Sequence, residues 1–202
     1  MHDHRFPKHN DGYLYSYGFD DEFFKRYLGI FKEMDIIGRS KETKYTNIHE
    51  NEKINNNVSI YTIKEHSELL KKDIRKEINY KIKNSDYIVA RVPSILGMYA
   101  AYKAKKFNKP CLIEVVGCYW DGIVNVKKSK VLEASLLTYL MKKTIYSSKN
   151  VIYVTEEFLQ NRYPTKGSNI ACSNVTLHSV NQQDLNNRID KIKEKREKLV
   201  VG

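Results

Sequence analysis

The chain has 202 residues, 41% of them hydrophobic, and a formal net charge of +11. That length holds one generous domain, or one domain and a fragment, with enough chain for a substantial core. No run approaches the length of a membrane-crossing helix, the polar start MHDHRF does not read as a signal peptide, and three cysteines without C-x-x-C spacing point to reduced thiols in a cytoplasmic setting.

The first periodic segment holds Phe23, Tyr27, Ile30 and Met34 at helical spacing, with Asp20 or Asp21 able to cap its start. Asp35–Gly38 reads as a short strand, and the polar stretch 39–57 as a surface excursion ending in an asparagine triplet. Val58–Ile63 alternates as a strand. Leu70, Ile74, Ile78 and Ile82 step by four along a charged helix. Residues 87–92 form an apolar strand, 95–107 a helix, 111–116 a strand, 130–146 a helix, 151–155 a strand and 156–163 a helix that Pro164 ends. Leu185, Ile189 and Ile192 then line one face of a charged helix, and the final Leu199–Gly202 resembles the beginning of a strand. Strands alternating with helices predict right-handed crossovers in a mostly parallel sheet with helices on both faces: a doubly wound, Rossmann-like α/β domain.

The positive charge is spread over several helices, through Lys71, Lys72, Arg75 and Lys76, then Lys103, Lys105, Lys106 and Lys109, then Lys127, Lys128 and Lys130. Solvated helix faces account for such a pattern, and so does attraction to an anionic membrane surface or polyprenyl phosphate. Nucleic acid is not expected, because no recognised binding signature accompanies the charge. Walker A, G-x-G-x-x-G and G-x-S-x-G motifs are missing from the sequence, which removes the main support for nucleotide hydrolysis, dinucleotide redox and α/β-hydrolase chemistry. His2, Asp3 and His4 adjoin one another without a fourth partner, a poor metal site. Neither a metal nor a cofactor is expected.

Open α/β sheets bind ligands beyond the carboxyl ends of their strands, so the segments there are the candidates. In 116–125, Gly117 and Gly122 allow close backbone approach, Tyr119 and Trp120 offer faces that stack on sugar rings, and Asp121 and Asn125 can hydrogen-bond hydroxyls. The competing reading makes Trp120 a core anchor and Asp121 a turn residue. After residues 87–92, Arg91 is an ion-pair partner or a phosphate ligand, and Ser94 a helix cap whose neighbouring amides could hold an anion. Thr155, Glu156 and Glu157 follow the next strand, where the helix dipole alone favours the glutamates. Near the start, Gly12, Tyr13, Tyr15, Tyr17 and Gly18 form an aromatic loop suited to polyols, or a half-buried strand.

Taken together, HDHRF, FFKRYLGIFKEMDIIGR, ARVPSILGMYAA, KPCLIEVVGCYWDGIVN, YVTEEFLQNRYP and CSNV resemble the amino-terminal half of GT-B glycosyltransferases. The nearest group is the family-four retaining enzymes of capsular and extracellular polysaccharide synthesis. The resemblance implies a Rossmann-like acceptor-side domain over residues 1–180, with 181–202 forming a linking helix and the start of a second domain. In the family that second domain holds the nucleoside diphosphate sugar through a Glu-x7-Glu motif, so the first domain alone is expected to be inactive.

The implied reaction moves a sugar to a growing polysaccharide or lipid-linked acceptor at the inner face of the plasma membrane. Acceptor contacts are implied from 12–17, from 119–121 and around Thr155, with Asp121 the best catalytic candidate. In this family an apolar strand usually precedes the HDHRF-like segment. The alternatives are half of a sugar-nucleotide epimerase, or a basic module for membrane or nucleic acid.

Overall fold

A computed structural model of the chain describes residues 1–9, 12–15, 19–42, 54, 57–125, 128–173 and 182–193. Strand β1 (Arg5–His9) pairs in parallel with β3 (Met34–Glu42), which pairs in parallel with β4 (Val58–Ile63). The short β2 (Gly12–Tyr13) turns back antiparallel onto β1. A second set, β5 (Ile88–Val92), β6 (Cys111–Val115), β7 (Asn150–Tyr153) and β8 (Ser168–Ala171), runs parallel in that order.

Residues Met1 to His4 join the two sets. The Met1 ammonium donates to the Val89 carbonyl at 2.6 Å, and the Met1 carbonyl accepts from the Arg91 N–H at 3.1 Å. On the other side, the His2 N–H donates to the Ile37 carbonyl at 3.1 Å and the His4 carbonyl accepts from the Arg39 N–H at 2.8 Å. These four residues bridge two sheets, ordered β2-β1-β3-β4 and β5-β6-β7-β8. Both histidines address peptide groups flanking Gly38, so the regular ladder that starts at Arg5 is interrupted here and Asp3 bulges out between them. A Cβ on Gly38 would lie 2.8 Å from the Phe6 ring, so this close crossing needs glycine.

Alternation along the strands sorts the two faces. Ile88, Ala90 and Val92 join Ile113, Val115, Val151 and Tyr153 in one core, with Ile78 and Ile82 of α2 (Lys72–Asn84), Leu96, Ala100 and Ala104 of α3 (Ile95–Lys106), and Met141 and Ile145 of α5 (Val131–Tyr146). On the opposite face, α1 (Asp21–Leu28) brings Phe23 and Tyr27 over Arg91 and Glu114. Asp20 caps α1 by accepting from the Phe23 N–H. Gly97 lets α3 lie against β5, since a Cβ there would come within 2.1 Å of the Arg91 carbonyl.

The doubly wound α/β architecture expected from the alternating pattern is present, with helices on both faces. Three local expectations change, and one further segment becomes a strand. The strand expected over Asp35–Gly38 runs on to Glu42, because the polar residues after Gly38 pair with β1. RFPKH, to which the sequence reading assigns no element, lies beside β3 as β1. The segment 116–125 contains a short helix, α4 (Tyr119–Val124), rather than a continuous loop. The helix expected from Glu156 begins only at Phe158, in α6 (Phe158–Arg162), so neither glutamate sits in its first turn. Strand β8 had no apolar signal, as all four of its residues are exposed. The amphipathic helix around Ile189 is α7 (Gln182–Lys193). Tyr17, Gly18 and the strand expected at Leu199–Gly202 lie outside the described residues, as does most of the excursion before Val58.

Candidate functional site

The segments that follow the carboxyl ends of β5, β6 and β7 lie beside one another. The first of them leads into the N-terminus of α3, and that end is already occupied. The Asp3 carboxylate accepts from the Ile95 and Leu96 N–H groups at 2.7 and 3.1 Å, and Ser94 Oγ, fully buried, accepts from the Gly97 N–H at 2.8 Å. The protein thus supplies its own anion to this helix dipole. An external anion has no free amide to bind there, which overturns the expectation attached to Ser94.

Asp3 also lies 3.1 Å from His66 Nε2. Burial pushes its carboxyl up, but His66 and the Leu96 and Ile95 amides outweigh that and hold it below the ordinary range. This pair was not legible in the sequence, since 63 positions separate its members and only the bulge aims Asp3 at them.

The other two segments meet. Tyr163 donates its hydroxyl to Cys118 Sγ at 3.0 Å, and Tyr153 donates to the Tyr163 carbonyl at 2.6 Å. Burial, and then the Cys118 contact, push the Tyr163 hydroxyl pKa well up, so it stays a donor. Arg162 Nη2 stands 3.6 Å from Asp121 Oδ1, both side chains partly exposed. Trp120 is half-buried beside them, and Asn125, at the end of α4, is exposed. Thr155 Oγ1 accepts from the Leu159 N–H at 3.0 Å and pairs with Gln160, so it fastens α6. Glu156 is exposed. Arg162 is the site residue the sequence concealed, because it read only as the end of a helix.

Other candidates lie elsewhere. Tyr119 turns inward against the core, its hydroxyl buried without a hydrogen-bond partner among the described residues, and burial raises its pKa strongly. The rest of the side chain is partly exposed. Gly117 packs beside Pro93. Tyr13 shares a 2.8 Å hydrogen bond with Thr62 Oγ1, and Tyr15 donates to Asp21 at 3.2 Å. Gly12 opens β2, so this segment takes the half-buried-strand alternative.

Arg91 lies on the α1 face. Its Nε is 3.5 Å from Glu114 Oε2, and its guanidinium lies over Phe23 and Phe19. Tyr27 donates to the other Glu114 oxygen at 2.6 Å. Arg91 is thus an ion-pair partner, and it lines a cavity at the amino end of the strands rather than the segments at their carboxyl ends.

A cavity of about 570 Å³ lies at the far, amino end of the strands. Met34 and Ile36 of β3 form one wall and Tyr87 and Val89 the other, with Met1 between them. Since Ile37 and Val89 bond to His2 and Met1, strand alternation turns the peptide groups of Asp35 and Tyr87 toward this gap too. Of the polar candidates, Arg91 lines it.

Among the described residues, no group of His, Cys, Asp or Glu is arranged to hold a metal ion, and no helix is long and apolar enough to cross a membrane.

The fold is that of a Rossmann-like α/β protein, with Trp120, Asp121 and Arg162 gathered past the carboxyl ends of its strands. The chain is similar to Protein CapJ of Staphylococcus aureus, at 34% identity over 198 residues, covering 94% of this chain and 50% of that protein. It thus spans about half the length of the curated relative it matches. No family model matches the chain, and no solved structure does.

Proposed function

We propose that this chain is the acceptor-side domain of a glycosyltransferase acting in capsule synthesis, taking a sugar from a nucleoside diphosphate sugar to a growing polysaccharide or lipid-linked acceptor. Similarity to CapJ, a capsule-related protein, supports the capsule association. The observation that carries the chemistry is the region past the carboxyl ends of β6 and β7. There Asp121 pairs with Arg162, and Trp120 and Asn125 lie on the same short helix and at its end, bringing an aromatic, a carboxylate, an amide and a guanidinium into one region. Such a set suits a saccharide, whose ring faces are apolar and whose hydroxyls both donate and accept.

In this reading Asp121 accepts from an acceptor hydroxyl and Arg162 holds the carboxylate in place. Pairing with Arg162 orients Asp121, so it can fix the hydroxyl that attacks the donor sugar. The donor's diphosphate is assigned to a second domain of the kind the sequence resemblance implies.

The test is saccharide binding, read by tryptophan fluorescence, since Trp120 is the chain's single tryptophan. Capsular oligosaccharide fragments should shift its emission saturably, and nucleoside diphosphate sugars should not. Saturable binding of the sugar nucleotide alone would instead favour an epimerase half. No response to any saccharide would remove the acceptor-site reading.

A further inference from the structure

Helices α2 and α3 pack side by side against the same core. Tyr99 of α3 donates its hydroxyl to Asn79 of α2 at 3.0 Å. One turn further along α2, the Lys83 ammonium lies 4.9 Å from the centre of the Phe107 ring, just past the end of α3. These contacts mark a seam between the helices. Residues 75, 79 and 83 follow one side of it at helical spacing, and 99, 103 and 106 follow the other.

Four residues of the seam are cations. Lys103 is half-buried, its ammonium 5.2, 5.5 and 5.9 Å from the ring centres of Tyr99, Tyr102 and Phe107. Arg75, Lys83 and Lys106 are exposed. Burial, and then the Lys106 and Arg75 charges, lower the Lys103 pKa. Among the described residues, no carboxylate pairs with any of the four. The acids of α2 lie on its other side: burial, and then Glu77 and Asp73, raise the pKa of Tyr61 on β4. Like charges gathered without counterions oppose folding, and an external anion relieves them.

The seam runs roughly 12 Å along α2 from Arg75 to Lys83, at about 1.5 Å per residue, which suits a polymer better than one small anion. Three of its four cations are lysines, point charges that meet spaced carboxylates, whereas phosphate recognition favours the guanidinium fork. Tyr102, 60% exposed next to Lys103, offers a flat face to a sugar ring. None of the large aliphatic side chains of α2 or α3 is exposed to enter a bilayer.

We propose that the α2–α3 seam is a docking surface for an acidic polysaccharide, whose carboxylates meet Arg75, Lys83, Lys103 and Lys106 and whose ring faces lie against Tyr102. The docking does not depend on the transferase reading. If both hold, the seam retains a polysaccharide chain away from the residues that engage its growing end.

The test is isothermal titration calorimetry of the chain with polygalacturonate fragments, against neutral dextran of similar length. Polygalacturonate should bind saturably, and more weakly as salt rises, while dextran should not bind. Lys103→Gln/Lys106→Gln should weaken that binding about tenfold with the thermal melt unchanged. Arg75→Gln and Tyr102→Ala, both at exposed positions, should each weaken it by a smaller factor. Equal affinity in the parent and the lysine variant would overturn the proposal, as would equal binding of dextran or no binding of polygalacturonate. Tighter binding of single-stranded DNA or poly-glutamate, lost in the lysine variant, would assign the seam to that partner and overturn it equally. Trp120 fluorescence reports the other site, so a silent Trp120 with polygalacturonate binding intact would remove the acceptor-site reading and support this one.

Discussion

Arg162 stands 3.6 Å from Asp121, and with that contact two segments 41 positions apart in the chain become one site. Tyr163, the next residue, is bound to Cys118 behind them, so the pair rests on a buried anchor. An ion pair this exposed contributes little to stability. Its geometry matters more for what the carboxylate can hold.

Asp121→Asn should therefore leave thermal stability within about 2 °C of the parent, by the small worth of exposed pairs. Saccharide binding should fall roughly tenfold through loss of a charge-assisted hydrogen bond. Arg162→Gln should weaken binding less, because the carboxylate remains. Fluorescence titration against a melting curve separates the two effects. Equal affinity in the Asp121 variant would remove that residue from the site.

The Arg91–Glu114 pair is nearly enclosed, with side-chain exposures of 11% and 13%. Glu114→Gln should cost about 3 kcal/mol, since it strands a buried guanidinium beneath Phe19 and Phe23. Replacing both partners together, Arg91→Met with Glu114→Gln, should cost less than the Glu114 change alone. Urea denaturation of Glu114→Gln, Arg91→Met and the double variant checks the sign of that coupling.

His2 and His4 stack on Phe19, with ring centroids 5.6 and 4.1 Å away. Burial, and then the nearby Arg91 charge, lower their pKa values to about 3 and about 4. The unfolded chain takes up protons near pH 6.5 and the folded chain does not. Stability from both groups is thus fully present above pH 6.5 and falls as pH drops toward 4. For His2 the slope approaches roughly 1.4 kcal/mol per pH unit. The Asp3 carboxyl, held low, adds a separate loss below its unfolded pKa near 3.8. Denaturation midpoints at several pH values, compared between the chain and His2→Phe, should show the upper window shrink.

Gly97→Ala should destabilise by about 3 kcal/mol. The added methyl would sit 2.1 Å from a backbone carbonyl of β5, which no side-chain rotation can relieve. Gly122→Ala, with nothing within 4 Å of its added Cβ, is the matched control and should be close to neutral. Both are read by thermal melts.

Strand-and-helix alternation from Val58 to Tyr163 was legible because its apolar periodicity is local and each segment buries one face. The parallel sheet follows from that spacing, as does the placing of Trp120 and Asp121 near a strand's carboxyl end. Tertiary structure alone decided what lacks a local hydrophobic signal. RFPKH and SNIA become strands because neighbouring strands satisfy their peptide groups. Asp3 became a helix cap rather than a metal-like or surface residue because a bulge turned it toward α3. Arg91 faces α1 and the Tyr119 hydroxyl is buried because strand and helix geometry point them that way. Composition and period govern which segments bury surface, but a side chain's direction depends on register, and register is set by partners distant in the chain.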